Sequence, residues 1–253
     1  DSSWHMPNIL RNGYEEYKRE HIKNAIFFDI DKISNKKSDL PHMLPDKKNW
    51  EEIVSNLGIS NEDRIIVYDN SDVFSACRCW YTFIFFGHKP NLISVLDGGF
   101  QKWKKENRKF TSKKTNIKKN TYIANKLDKL VKNKDEIEDN ILKKKFKVVD
   151  ARSKNRFLGL EKELRPGLRS GSIQNSHSLP FNEIINKDDK TFLEKKIIKE
   201  KFAKLGIIEE NNVVFSCGSG ITAAVLSLAY SLINDKYLPT VYDGSWSEYG
   251  KKN

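Results

Sequence analysis

The sequence is short of cysteine and of long apolar runs, each of which excludes a class of protein, and its acidic residues are outnumbered by basic ones. Three cysteines among 253 residues, Cys77, Cys79 and Cys217, cannot form the disulfide framework of a small secreted domain. They point to a reducing compartment, so a cytoplasmic location is expected. Cys77-Arg78-Cys79 lacks a second pair of ligands, which argues against zinc and for two thiols on a packed helix. The sequence carries no other metal signal and no signature of an organic cofactor, so none is expected. No apolar stretch is long enough to span a bilayer, and no signal-peptide pattern opens the chain at Asp1-Ser2-Ser3-Trp4. A membrane partner is therefore not expected. Against 34 Asp+Glu stand 45 Lys+Arg, a net charge of +11. That field favours anionic ligands. The lysines are scattered, however, and no nucleic-acid-binding motif accompanies them, so nucleic acid is not an expected partner.

What is present suits a folded chain. Hydrophobic content of 38% and aromatic content of 11% exclude disorder. The length fits one large domain or two of about 120 residues each.

The sequence also repeats itself. Leu57-Gly58-Ile59 recurs as Leu205-Gly206-Ile207, an offset of 148 residues, and each glycine precedes the end of an apolar strand by eleven residues. The strands are Ile65-Ile66-Val67-Tyr68-Asp69 and Val213-Val214-Phe215-Ser216-Cys217. Leu96-Asp97-Gly98-Gly99-Phe100 answers Tyr242-Asp243-Gly244-Ser245-Trp246 at an offset of 146, and Asp1-Ser2-Ser3 aligns with Asp150-Ala151-Arg152 at 149. Matches in one order at nearly one offset mean a duplicated domain, because the period is far too long for a solenoid. The boundaries predicted are a first domain over 1–109, a linker over 110–127 in the polar Lys/Thr/Asn-rich stretch, and a second domain over 128–253.

Short β-branched strands alternate with helical segments in each half. Helices are predicted over 45–57, 76–86, 193–205 and 221–233, the first three stopped by Gly58, Gly87 and Gly206. This alternation predicts an α/β fold with parallel sheets covered by helices on both faces. Ligands of such sheets sit at the carboxyl ends of strands, where Cys217 falls. Cys217-Gly218-Ser219-Gly220-Ile221-Thr222-Ala223 leads from strand to helix, so the sulfur lies in a cup of main-chain N–H groups that favours negative charge.

The duplicated halves, the Cys217-Gly218-Ser219-Gly220 loop and Asp243-Gly244-Ser245-Trp246 together resemble the two-domain rhodanese-type sulfurtransferases. Phe27-Phe28-Asp29-Ile30-Asp31, His42-Met43-Leu44-Pro45 and Asp150-Ala151-Arg152 with Arg156-Phe157 extend the resemblance over nearly the whole chain. The loop is similar to that of the 3-mercaptopyruvate sulfurtransferase branch; the thiosulfate branch usually has basic residues where Gly218 and Ser219 stand here. The family's usual His-Ile-Pro-Gly is replaced by His21-Ile22-Lys23-Asn24 and Ser172-Ile173-Gln174-Asn175, turn residues away from the sulfur. Asp69 stands where a first-half cysteine would be, so that half is expected to be catalytically silent.

The resemblance implies two tandem rhodanese-like domains and an enzyme in which Cys217 takes up sulfur as a persulfide. The amides of the loop, Gly218, Gly220, Ile221 and Thr222 among them, would hold the anionic sulfur and substrate. An α-keto acid donor calls for a planar fork of N–H donors, assigned to Arg152 and Arg156, unless these pair instead with Glu161 or Glu163. A relay Ser219–His42–Asp31 would deliver a proton to the departing enolate, with Asp29 a competitor for the last position. Drawing partners from the first half, this site would lie between the domains. His21, His88 and His177 have no such setting and are expected to be structural. Asp243-Gly244-Ser245-Trp246, shared with the silent half, is expected to be a strand-to-helix turn with a capping aspartate or serine.

The partners expected are a small-molecule sulfur donor and a thiol acceptor, either a small thiol or a thioredoxin-like protein, acting on a monomer or weak oligomer. Three alternatives remain. Thiosulfate could be the donor, as the positive charge would permit. A cysteine phosphatase uses a related amide cradle but closes it with an arginine six residues after the cysteine, where Ala223 stands. A persulfide-carrying module without turnover is the non-enzymatic option.

Overall fold

The structure is a computed structural model describing residues 1–209 and 212–252 of the chain. Its contacts divide it into a first unit, Asp1–Lys37, Leu44–Leu127 and Lys187–Thr191, and a second unit, Ser38–Met43, Asp128–Asn186 and the chain from Phe192 on. Three assignments differ from those predicted, the first being Lys187–Thr191, which falls in the first unit rather than the second. The stretch 110–127 does not run free as a linker: Asn120 N–H donates to Ser55 O, Tyr122 N–H to Ser55 Oγ and Leu127 N–H to Phe85 O, and the Tyr122 side chain is buried. Its polar side chains face solvent while its main chain is pinned to the first unit. The short segment carrying His42 belongs to the second unit, because His42 bonds to Ser219.

In the first unit the elements are α1 (Gly13–Arg19), α2 (Ile30–Ile33), α3 (Lys47–Asn56), β1 (Ile65–Val67), α4 (Ala76–Phe85), β2 (Ile93–Val95) and α5 (Gly99–Lys105). β1 and β2 pair in parallel, Ile65 opposite Ile93 and Val67 opposite Val95. Asp46, one residue past Pro45, caps α3 by accepting from Asn49 N–H. Every residue of α4 is buried, as its apolar sequence requires. Cys77 and Cys79 lie on this helix, where burial pushes both thiols up and keeps them neutral. The Trp50 indole stacks on Phe86 at 4.6 Å and meets Phe83 edge-on at 4.9 Å, filling the core between α3 and α4.

The second unit follows with β3 (Val131–Lys132), α6 (Lys134–Lys143), β4 (Lys147–Asp150), α7 (Lys154–Phe157), β5 (His177–Ser178), α8 (Lys195–Ala203), β6 (Val213–Ser216), α9 (Ile221–Ser231), β7 (Val241–Tyr242) and α10 (Ser245–Tyr249). Its sheet has the order β3-β7-β6-β4-β5, every pair parallel. All four residues of β6 are buried, and their side chains alternate between faces. Val214 joins Ile137 of α6 and Trp246 of α10 on one face. Phe215 points to the other, with ring centroids 5.9 Å from Phe202 of α8 and 6.1 Å from Tyr230 of α9. Each such side chain contributes about 2 kcal/mol by leaving water, which is why β6 is the fixed centre of this unit.

The duplication extends to individual hydrogen bonds. Ser2 N–H donates to Tyr68 O as Ala151 N–H does to Ser216 O. Phe28 N–H donates to Asp1 O as Leu179 N–H does to Asp150 O, and Phe100 N–H to Asp69 O as Trp246 N–H to Cys217 O. Both units are thus α/β with parallel pairing, and the second has helices on both faces. Among the described residues no helix is long and apolar enough to cross a membrane.

The Asp243–Trp246 turn departs from the capping role predicted for it. The cap position of α10 falls on Gly244, and Ser245 turns its hydroxyl elsewhere. Ser245 Oγ accepts from Cys217 N–H at 3.1 Å and donates to Tyr242 O at 2.8 Å. Ser247 N–H, at 2.9 Å, and Ser247 Oγ, at 2.5 Å, both donate to Gly218 O. The first turn of α10 is therefore a cradle for the Cys217 loop. Ser245→Ala leaves the buried Cys217 amide without an acceptor and is expected to cost about 1–3 kcal/mol in urea unfolding. An unchanged midpoint would show that the amide does not depend on that hydroxyl.

Candidate active site

Cys217 follows the last residue of β6, and Gly220 opens α9. The turn between them requires φ 80 at Gly220, a left-handed conformation that glycine adopts without the clash of a Cβ. Gly220 N–H then points back at Cys217 Sγ, 3.1 Å away. The Cys217 side chain is buried, and Ile221 behind it is buried as well, while Thr222 is half-buried. The sulfur thus accepts a main-chain N–H within its own loop.

Gly218 lies against two guanidiniums. A Cβ there would stand 3.4 Å from Arg156 Nη2 and 3.6 Å from Arg165 Nη1, so two guanidiniums occupy the room a longer side chain would need. Arg165 Nη2 also donates to Ser219 Oγ at 3.3 Å. That oxygen lies 2.8 Å from His42 Nδ1, both residues being buried. His42 sits at φ 61, a left-handed conformation that costs a non-glycine residue about 1–2 kcal/mol. The strained backbone brings the imidazole to the serine.

Arg152 is at the carboxyl end of β4, yet it does not present the donor fork predicted for it. Its Nε and Nη2 bind the Asp150 carboxylate at 2.7 to 3.1 Å, Nη2 also reaches Gly171 O at 2.8 Å, and Nη1 binds Glu163 at 2.6 Å. Four of its five N–H groups are committed. The guanidinium lies over the Trp246 indole with its carbon 4.3 Å from the ring centroid, and the residue is 2% exposed. Arg152 is a brace, and Glu163 rather than Glu161 is its second acid. Arg156, held at α7 by its N-cap Ser153, gives Nη2 to Glu163 at 2.5 Å. Its Nε is buried with no partner in the structure, an open donor beside the sulfur loop.

The structure thus brings together Cys217, Gly218, Ser219, Gly220, His42 and Arg156 of the residues singled out in the sequence. Asp31 belongs to the first unit, where its carboxylate accepts from the Trp4 indole N–H at 2.9 Å. Asp29 is the cap of α2, accepting from Lys32 N–H at 3.0 Å, which explains its presence without the relay. His21 and His88 contact main-chain carbonyls, at 2.7 Å to Tyr17 O and 3.1 Å to Asp63 O respectively. Arg165 is the residue that motif reasoning missed. A signal existed: four of the nine arginines in this lysine-rich chain, Arg152, Arg156, Arg165 and Arg169, fall within one short stretch. Among the described residues, no three His, Cys, Asp or Glu side chains gather as a metal site. The arrangement is one in which a sulfur held by an amide faces donors for a small anion and a hydroxyl–imidazole pair.

Comparison with known proteins identifies relatives of the chain. The model of the rhodanese-like domain matches residues 10–106 and 133–252. The mouse protein named 3-mercaptopyruvate sulfurtransferase is 36% identical, the match covering 98% of this chain and 83% of that protein. The mouse thiosulfate sulfurtransferase is 35% identical, covering 100% and 84%. The crystal structure of SseA from Escherichia coli, described as a 3-mercaptopyruvate sulfotransferase, superposes with a TM-score of 0.85 at 28% identity, covering 98% of this chain and 91% of that one. The chain belongs to the rhodanese-like family and is built of two such domains.

Proposed function

We propose that this sulfurtransferase takes sulfur from 3-mercaptopyruvate onto Cys217 and passes it to a thiol, releasing pyruvate. The Cys217 thiolate attacks the donor's sulfur. An S–S bond forms, the C–S bond breaks, and its electron pair leaves as the enolate of pyruvate. Ser219, replenished through His42, gives that enolate a proton at carbon. Arg156 and Arg165 bind the donor's carboxylate and keto oxygens, whose planar spacing suits guanidinium donors. Gly220 N–H holds the sulfur while it is anionic, and the amides of Ile221 and Thr222 close the cradle. The terminal sulfur of the Cys217 persulfide is then attacked by the acceptor's thiolate, restoring Cys217. The acceptor is a small thiol or a thioredoxin-like protein, in the cytoplasm. Asp31 remains the proposed third member of the relay.

The observation that carries this reading is the setting of Gly218. The cations at the Cys217 loop come from Arg156 and Arg165 and not from position 218 itself, and the hydroxyl–imidazole pair is at the next residue. The pair has a task when an enolate must be protonated. Thiosulfate, whose leaving sulfite needs no proton at carbon, is the second reading, favoured by the same cationic cluster and by the equal likeness to thiosulfate sulfurtransferase.

Comparing kcat/KM for the two donors separates these readings, with mercaptopyruvate expected to be preferred and a large thiosulfate preference reversing the order. His42→Gln is expected to lower kcat with mercaptopyruvate by about 10²–10⁴-fold while sparing thiosulfate. Equal losses with both donors would remove the proton-delivery role. Cys217→Ser is expected to abolish turnover with either donor.

A further inference from the structure

Glu163 joins the two arginines Arg152 and Arg156. Its Oε1 accepts from Arg152 Nη1 at 2.6 Å and its Oε2 from Arg156 Nη2 at 2.5 Å, and its side chain is 2% exposed. No step of the sulfur chemistry uses this carboxylate. Burying one is costly unless its oxygens are paired, and here both are spent on guanidiniums.

The two arginines are not equivalent. Arg152 is fixed on its far side by Asp150, by Gly171 O and by the Trp246 ring, and its side chain is 1% exposed. The Trp246 ring is itself held, because its Nε1–H donates to Arg169 O at 2.9 Å and its main-chain N–H donates to Cys217 O. Arg156 rests on α7, a helix of only four residues, and its side chain is 15% exposed. Its grip on the protein is the bond to Glu163, and its Nε has no partner. The carboxylate therefore links the fixed Arg152 to the guanidinium of Arg156, 3.4 Å from where a Cβ of Gly218 would be.

We propose that Glu163 is a positioning residue: it tethers Arg156 over Gly218 so that the guanidinium meets the donor's carboxylate. The proposal rests on the reading of Arg156 as a donor-binding residue. Without the tether the long side chain regains its rotamers, and ordering it is charged to each binding event. The loss falls on donor affinity, because attack by sulfur and proton delivery use other groups.

The test uses the full chain with 3-mercaptopyruvate as donor and saturating thiol, comparing Glu163→Gln, Arg156→Gln and the double variant, each with its unfolding transition recorded. Arg156→Gln and Glu163→Gln are each expected to raise the donor KM about tenfold with kcat within about twofold, and the double variant to be no worse than Arg156→Gln alone. If Arg156→Gln raises KM but Glu163→Gln does not, or if the two effects multiply, the tether is wrong and the donor-binding reading survives. If Arg156→Gln leaves KM unchanged, the donor-binding reading fails and takes the tether with it. Should Glu163→Gln lose its cooperative unfolding transition, Glu163→Asp replaces it under the same criteria, since it keeps the charge and withdraws it by one methylene.

Discussion

The second unit depends on one buried guanidinium. Arg152 is clamped by Asp150 and Glu163 and laid flat on the Trp246 indole, three contacts that a lysine could not reproduce. Through these contacts it ties the end of β4 to the start of α10, whose serines hold the Cys217 amide and the Gly218 carbonyl. The loop that carries the sulfur is thereby fixed from both sides, by strand β6 below and by α10 beside it. Breaking a buried pair of this kind costs about 3–5 kcal/mol, because it strands the remaining charge.

The two units show what the same loop position holds in different hands. In the first, Asp69 takes the place of Cys217, and its carboxylate accepts from Ser71 N–H at 3.1 Å and Ala76 N–H at 2.5 Å. Burial pushes its acid up to about 6, against the opposing pull of those amides. A negative group built into the chain fills that cradle. In the second unit the amide of Gly220 faces a sulfur instead, and arginines from outside the loop stand over a glycine. An internal anion occupies one cradle, while the other is the place proposed for a donor anion that arrives and leaves.

Most of the architecture was legible in the sequence because it follows from local rules. The continuous apolar run of β6, the glycine stops and the near-constant offset each state one element or one correspondence, and the paired hydrogen bonds Ser2–Tyr68 and Ala151–Ser216 carry the same repeat. The loop at Cys217 was legible for the same reason, being contiguous. What the sequence does not carry depends on tertiary contacts. Arg152 was assigned to substrate because it ends a strand, but Asp150, Glu163 and Gly171 consume its donors. Arg165 was overlooked because its relation to Ser219 spans 54 positions. The polar 110–127 stretch resembled a linker because composition reports side chains and not the main-chain bonds that pin it. The turn at Asp243–Trp246 offers an aspartate or a serine as helix cap, whereas the bond of Ser245 to the Cys217 amide is tertiary.

These features reduce to a sulfur whose loop is braced, as the proposed uptake and release of a second sulfur requires. The most direct measurement is intact-mass and peptide mass spectrometry after brief exposure of the thiol-free protein to 3-mercaptopyruvate. The account predicts a gain of one sulfur atom, confined to the peptide containing Cys217 and removed by added thiol. An unmodified Cys217, with pyruvate nonetheless released, would contradict it.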